Sequence, residues 1–173
     1  GGWTDCDKIR FKLGYPEKIG GWSKLTGSTY LGTARRLHNW TALDGSDFLG
    51  VGTHLKYYIE EGGSFNDITP LRGTSPFTNA LASDPIVTND TVGTEKQVTI
   101  NDISHGAAEG DFVTIAGADA TGGLGTSILN AEHQITTVID GNSYIITVST
   151  NATSDATGGG SSVTATYQIN TGL

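Results

Sequence analysis

Five acidic side chains, Asp44, Asp47, Glu60, Glu61 and Asp67, lie close enough together in the chain to raise the idea of a paired-carboxylate hydrolase. A glycosidase needs two such groups at a defined separation, which decides whether the anomeric centre inverts or is retained. All five, however, sit in or beside glycine-containing turns, where Asp and Glu hydrogen-bond local backbone or face water. The four histidines, His38, His54, His105 and His133, show neither His-x-x-x-His nor His-Glu-x-x-His spacing, so the pattern offers no zinc site. Ser104 and His105 are adjacent, but neighbours on a turn diverge, and a nucleophile needs a base within hydrogen-bond reach and a third group to orient it. The segment reads as a structural turn. Gly20-Gly21, Gly62-Gly63 and Gly158-Gly-Gly160 lack the lysine of a phosphate loop and the strand-to-helix setting of a dinucleotide site. The pentapeptide Asp-Ala-Thr-Gly-Gly occurs at 119–123 and again at 155–159. Each copy brings one acid, too few for a calcium loop, and the pair reads as two flexible loops. The expectation is a protein with no catalytic residues, no cofactor and no metal.

The basic residues are the remaining candidates for contact chemistry. Lys8, Arg10, Lys12, Arg35 and Arg36 are interleaved with Phe11, Trp22 and Trp40, a mixture that could meet nucleic acid or the acids of a neighbouring subunit. Of these, Arg10, Lys12, Arg35 and Arg36 are the interface candidates. Their segment, residues 1–74, holds nine Lys and Arg against eight Asp and Glu, and so small a net charge favours the subunit contact. Residues 75–173 hold one lysine against ten acids. An acidic module should not bind nucleic acid by neutralising phosphates, and the shift near Thr74 separates two modules.

The elements that would carry these residues are strands. Glycine is frequent, at 25 of 173 residues, and no window of ten or more residues shows helical periodicity, so an all-β, turn-rich chain follows. Ile9, Phe11 and Leu13 alternate with Lys8, Arg10 and Lys12 as a half-buried strand with one basic face. Between Gly32 and Pro70 four runs follow, Ala34–Trp40, Phe48–Gly52, His54–Ile59 and Phe65–Ile68, separated by tight turns and stopped by Pro70. That is the layout of one four-stranded propeller-like blade, a unit of roughly 40 residues, of which about three or more must stack before a core closes. Trp22, Trp40, Phe48, Leu55, Tyr57 and Ile59 are its expected core.

The domain reading is a propeller-like module over 1–74, a linker over 75–92 and a small β-barrel or sandwich over 93–173. Strand candidates in the last are Gln97–Asn101, Phe112–Ala116, Gln134–Ile139, Tyr144–Ser149 and Val163–Ile169, with Asp140-Gly-Asn142 as a hairpin signal. Five strands suit an SH3-like or OB-like barrel, with Phe112, Ile115, Ile135, Val138, Tyr144 and Ile146 inside. Cys6 is the single cysteine, which excludes an internal disulfide framework. No apolar run reaches the roughly 18 residues a membrane helix needs. The chain opens on Gly-Gly-Trp and contains no methionine, so the expectation is that Gly1 is not the translational start.

Several blocks together resemble a known family. Arg10-Phe11, Gly14, Pro16-Glu-Lys-Ile-Gly-Gly-Trp22, Gly32-Thr33, Arg36, Trp40, Leu43-Asp-Gly45, Gly50-Val-Gly-Thr53 and Asp67-Ile-Thr-Pro70 are similar to the opening of the tail hub or nozzle proteins of short-tailed bacteriophages. Ser104-His-Gly106, Gly110-Asp-Phe-Val113, Leu129-Asn130, Asp140-Gly-Asn-Ser-Tyr144 and Tyr167-Gln-Ile-Asn170 resemble a segment inserted in the same proteins. The resemblance implies a virion tail protein with no catalytic residues. It also implies a homo-oligomeric ring, a hexamer, between tail adaptor and tail fibre proteins, with DNA passing through without sequence-specific binding. A carbohydrate-binding or host-recognition β module is the alternative.

Overall fold

The computed structural model describes residues 8–21, 23–73, 81 and 83–168, and the chain is nearly all β. Trp22 and Cys6 lie outside the described residues. The first basic run folds as a hairpin of β1 (Ile9–Lys12) and β2 (Tyr15–Lys18), joined through Leu13 and Gly14. Both loop residues have positive φ, 52° and 84°, as a two-residue hairpin turn with the twist of its strands requires.

The four runs between Gly32 and Pro70 form an antiparallel meander of β3 (Ala34–Thr41), β4 (Asp47–Thr53), β5 (Tyr57–Glu61) and β6 (Ser64–Asp67), paired in that order. Its turns are built from side chains that complete the backbone. The Asp44 carboxylate accepts the Ser46 N–H. Thr53 Oγ1 accepts the amides of Leu55 and Lys56, and Gly62 and Gly63 take positive φ between β5 and β6. Register puts Val51 opposite both Leu37 and Tyr58. On that face Tyr30, from the segment preceding β3, packs edge-on against Phe65 at 4.9 Å and tilted against Tyr58 at 5.9 Å.

The remaining strands, β7 (Leu71–Gly73), β8 (Ile86–Thr88), β9 (Gln97–Asn101), β10 (Phe112–Ala116), β11 (Glu132–Asp140), β12 (Ser143–Thr147), β13 (Ala156–Gly158) and β14 (Thr164–Gln168), form one sheet in the order β13-β8-β9-β12-β11-β10-β14-β7. A single-turn helix, α1 (Thr126–Leu129), precedes β11. β11 carries two register shifts against β12, and its first residues pair instead with β10. Such bulges bend a strand. The apolar side chains of both halves meet in one core of Ile86, Val98, Ile100, Val113, Ile115, Leu124, Leu129, Ile135, Tyr144, Ile146, Val163 and Tyr167.

The sheet therefore has eight strands where the alternation pattern indicated five. β7, β8 and β13 are three residues each, too short to display a period of two. β8 lies within the stretch read as a linker, pairs with β9 and β13, and puts Ile86 in the core. The two Asp-Ala-Thr-Gly-Gly segments are not loose loops. Thr153 N–H bonds Gly122 O, Asp119 N–H bonds Gly159 O, and Thr121 lies where a Cβ on Gly158 would fall, 2.7 Å from its Oγ1. Glycine is required there because the two repeats are packed against one another.

Candidate assembly surface

The face of the meander opposite Tyr30 carries Arg36, His38 and Trp40 from β3, Phe48 from β4, and Tyr57 and Ile59 from β5, by the alternation of strand side chains. At this face β4 contributes Gly50 and Gly52. A trough of 410 Å³ lies over them, between Arg36 and His38 on one side and Tyr57 and Ile68 on the other. Beyond it the Trp40 indole stacks on Phe48 at 5.4 Å and on His38 at 5.8 Å. A Cβ on Gly50 would stand 3.3 Å from the indole, so the missing side chain lets Trp40 lie against β4.

Trp40 was expected in the blade core and is instead 37% exposed. The buried apolar side chains of the meander are Val51 and Tyr58; Phe48, Leu55, Tyr57 and Ile59 are half-buried. The reason is geometric. Tyr30 covers one face, and among the described residues no second layer covers the face that bears Trp40. Ile68, which lines the trough and is 51% exposed, adds to the apolar surface left open, whereas Leu37, 63% exposed, lies on the opposite face with Val51.

The interface candidates fall in two groups on separate sheets. Arg10 pairs across the hairpin with Glu17 at 3.0 Å, and Lys12 is exposed opposite Tyr15. Arg35 and Arg36 lie on β3, the edge strand of the meander, seven of whose eight residues are exposed. Nothing brings the hairpin pair and the β3 pair together among the described residues.

Three of the turn carboxylates, Asp44, Asp47 and Glu60, are engaged locally. Thr41 Oγ1 donates to Asp47 at 2.6 Å, Gly63 N–H donates to Glu60 at 2.8 Å, and Asp44 is held below the usual carboxylate range by the backbone amide of Ser46. The histidines are dispersed. His38 stacks on Trp40, and His54 accepts the Thr33 amide. Among the described residues no group of three or more His, Cys, Asp or Glu is placed to hold a metal ion.

His105 is 2% exposed and belongs to a polar cluster inside the eight-stranded sheet. Its Nδ1 accepts the Ala107 amide, so Nε2 carries the proton and donates to Asp140 O. Arg72, from β7, donates to His105 O at 2.7 Å and lies over the Tyr167 ring. Tyr167 donates to Asp102 at 2.5 Å, with the Tyr144 hydroxyl 3.0 Å away. Burial pushes Asp102 above its ordinary range, against the opposing pull of the Tyr167 hydrogen bond. Burial likewise pushes both tyrosines up. An acid raised in the folded state stabilises fully below its unfolded value of 3.8 and loses that contribution as pH rises through the folded value. Tyr167→Phe leaves Asp102 without its donor, at a cost of about 1–3 kcal/mol. The penalty should be larger at neutral pH than near pH 4, read as urea midpoints at the two pH values; an equal penalty at both would refute the assignment.

Neither pattern nor composition singled out Lys56, which is 4% exposed. Its Nζ lies 2.8 Å from Asp67 and 2.8 Å from Glu132, and 4.8 Å from the centre of the Phe112 ring. Gln168 also donates to Glu132. Burial, the largest single influence on Lys56, pulls its pKa down, but the hydrogen bonds and charges of Asp67 and Glu132 outweigh it and the net shift is upward. Asp67 is shifted down because Lys56 and Thr69 outweigh its own burial. The cluster ties the start of β5 to β11 and β10, joining the meander to the eight-stranded sheet. Lys56 and Glu132 are 76 residues apart in the chain, which is why no local signal revealed the pair.

The geometry defines a nearly all-β protein of antiparallel sheets, with an aromatic face left open among the described residues. No protein-family model matches the chain, and no curated protein matches it. Among solved structures it is similar to a chain described as phage phi92 endosialidase, at 13% identity and a TM-score of 0.41. The match covers 91% of this chain and 21% of that one, so the present chain spans about a fifth of that protein's length.

Proposed function

We propose that this chain is part of a structural component of a bacteriophage tail, a nozzle or hub ring around the DNA exit channel that serves tail assembly and DNA ejection. The observation that supports this reading is a lone four-stranded meander whose Trp40 face is uncovered among the described residues. A propeller blade buries that face only against a neighbouring unit. The residue blocks that resemble tail nozzle proteins supply the setting: a ring of six copies in the virion tail, contacting adaptor and fibre proteins. The acidic second half suits a channel through which DNA must slide, because it offers few of the phosphate contacts that make binding tight and salt-sensitive. Titration of duplex DNA onto the protein at low and moderate salt, followed by fluorescence anisotropy, should show no salt-dependent binding. Binding that weakens steeply with salt would contradict a sliding channel.

The trough beside Trp40 and Tyr57 favours one second reading, a carbohydrate-binding or host-recognition module, since aromatic faces stack on sugar rings. A glycan array is expected to show no signal. A signal abolished by Trp40→Ala would replace the ring reading.

A further inference from the structure

The two halves of the chain are unlike in charge, and each carries exposed charge at the terminal strand of a sheet among the described residues. β3 bonds through its backbone to β4 alone, and no other backbone partner of Arg35–Thr41 exists among the described residues. Arg35 and Arg36 lie on this edge strand, are exposed, and have no ion-pair partner among the described residues. At the far side, β13 is the terminal strand of the eight-stranded sheet. Exposed acids bracket it. Asp155 precedes β13 and accepts the Asp90 amide, while Asp84 accepts the Gly160 amide just after it, and Asp119 Oδ2 lies 2.6 Å from where a Gly160 Cβ would stand. Lys96 is the one Lys or Arg in residues 75–173.

We propose that the β3 edge of one copy docks on the acidic rim around β13 of a second copy, with Arg35 and Arg36 bonding carboxylates among Asp84, Asp90, Asp119 and Asp155. This rests on the ring reading and names the surfaces that would close it. Guanidinium groups form paired, charge-assisted bonds with carboxylates, and an exposed strand edge supplies unpaired backbone donors and acceptors for an incoming chain. The two surfaces differ, so the contact is heterologous: each copy uses its β3 edge on one neighbour and its β13 rim on the other. Heterologous contacts propagate into rings when the rotation closes. Like charges across β13-to-β13 or β3-to-β3 contacts disfavour the symmetric two-fold pairings.

The test is sedimentation equilibrium of the full chain. Wild type should self-associate at about 50 mM salt, with the dissociation constant rising about tenfold at about 500 mM. Arg35→Glu/Arg36→Glu should be monomeric at low salt with an unchanged circular dichroism spectrum. Adding Asp90→Lys/Asp155→Lys to that variant should restore association by exchanging the two charges. A wild type that stays monomeric at both salts overturns the proposal and the ring reading with it. Association that persists unchanged in Arg35→Glu/Arg36→Glu overturns the proposal and leaves the ring standing on another surface.

Discussion

Lys56→Met should lower the stability of the protein by about 2 kcal/mol and split its thermal unfolding into two transitions. Removing one partner of a buried ion cluster strands the others, which for fully buried pairs costs about 3–5 kcal/mol. The figure is reduced here because the Asp67 and Glu132 side chains are each 35% exposed and recover part of their hydration. The split follows from position, since Lys56 contacts Glu132 and Phe112 of the larger sheet from the start of β5. The wild-type contribution should be flat around neutrality. Asp67, with a lowered pKa, loses its share only as pH falls below 3.8, and Lys56, with a raised one, only as pH climbs beyond 10.5. Differential scanning calorimetry decides it. A single transition at the wild-type temperature would remove the cluster from the account.

Gly122→Ala should be still more damaging, at about 3–4 kcal/mol, as the sum of a left-handed backbone penalty and overpacking. Gly122 has a φ of 58°, and a Cβ there would stand 1.9 Å from Thr88 Oγ1 and 3.0 Å from Ser154 O. Thr88 cannot swing away freely, because its hydroxyl already bonds the carbonyl of Ser154. Gly141→Ala is the control: a Cβ there meets nothing within 4 Å, and it should be neutral. Chemical denaturation of the two variants side by side gives the comparison. Equal stability of both would mean that Gly122 is not packed against Thr88 and Ser154.

The strand pattern of this chain was largely legible. The meander from Ala34 to Asp67 and the longer strands β9, β10, β11, β12 and β14 announce themselves through alternation and through Asp-Gly and Gly-Gly turns, which are local properties. Ile115, Ile135, Tyr144 and Ile146, expected inside, are fully or almost fully buried. What escaped notice depends on residues distant in sequence. Thr88 and Gly122, or Lys56 and Glu132, carry no mutual mark until the chain is folded. Trp40 misled for a related reason. An aromatic on a half-buried strand reads as core, but whether it is covered depends on a layer that the pattern of its own strand does not describe. Arg10, Lys12, Arg35 and Arg36 group as contact candidates because both runs are basic, yet the chain places them on different sheets.

A tail ring built from this chain requires the open face of the meander to lie between units of a larger assembly. Two-dimensional electron-microscopy class averages of the native protein, with its intact mass measured by native mass spectrometry on the same sample, test this directly. Six-fold rings with a mass of six subunits are the predicted result, and a homogeneous monomer would contradict it.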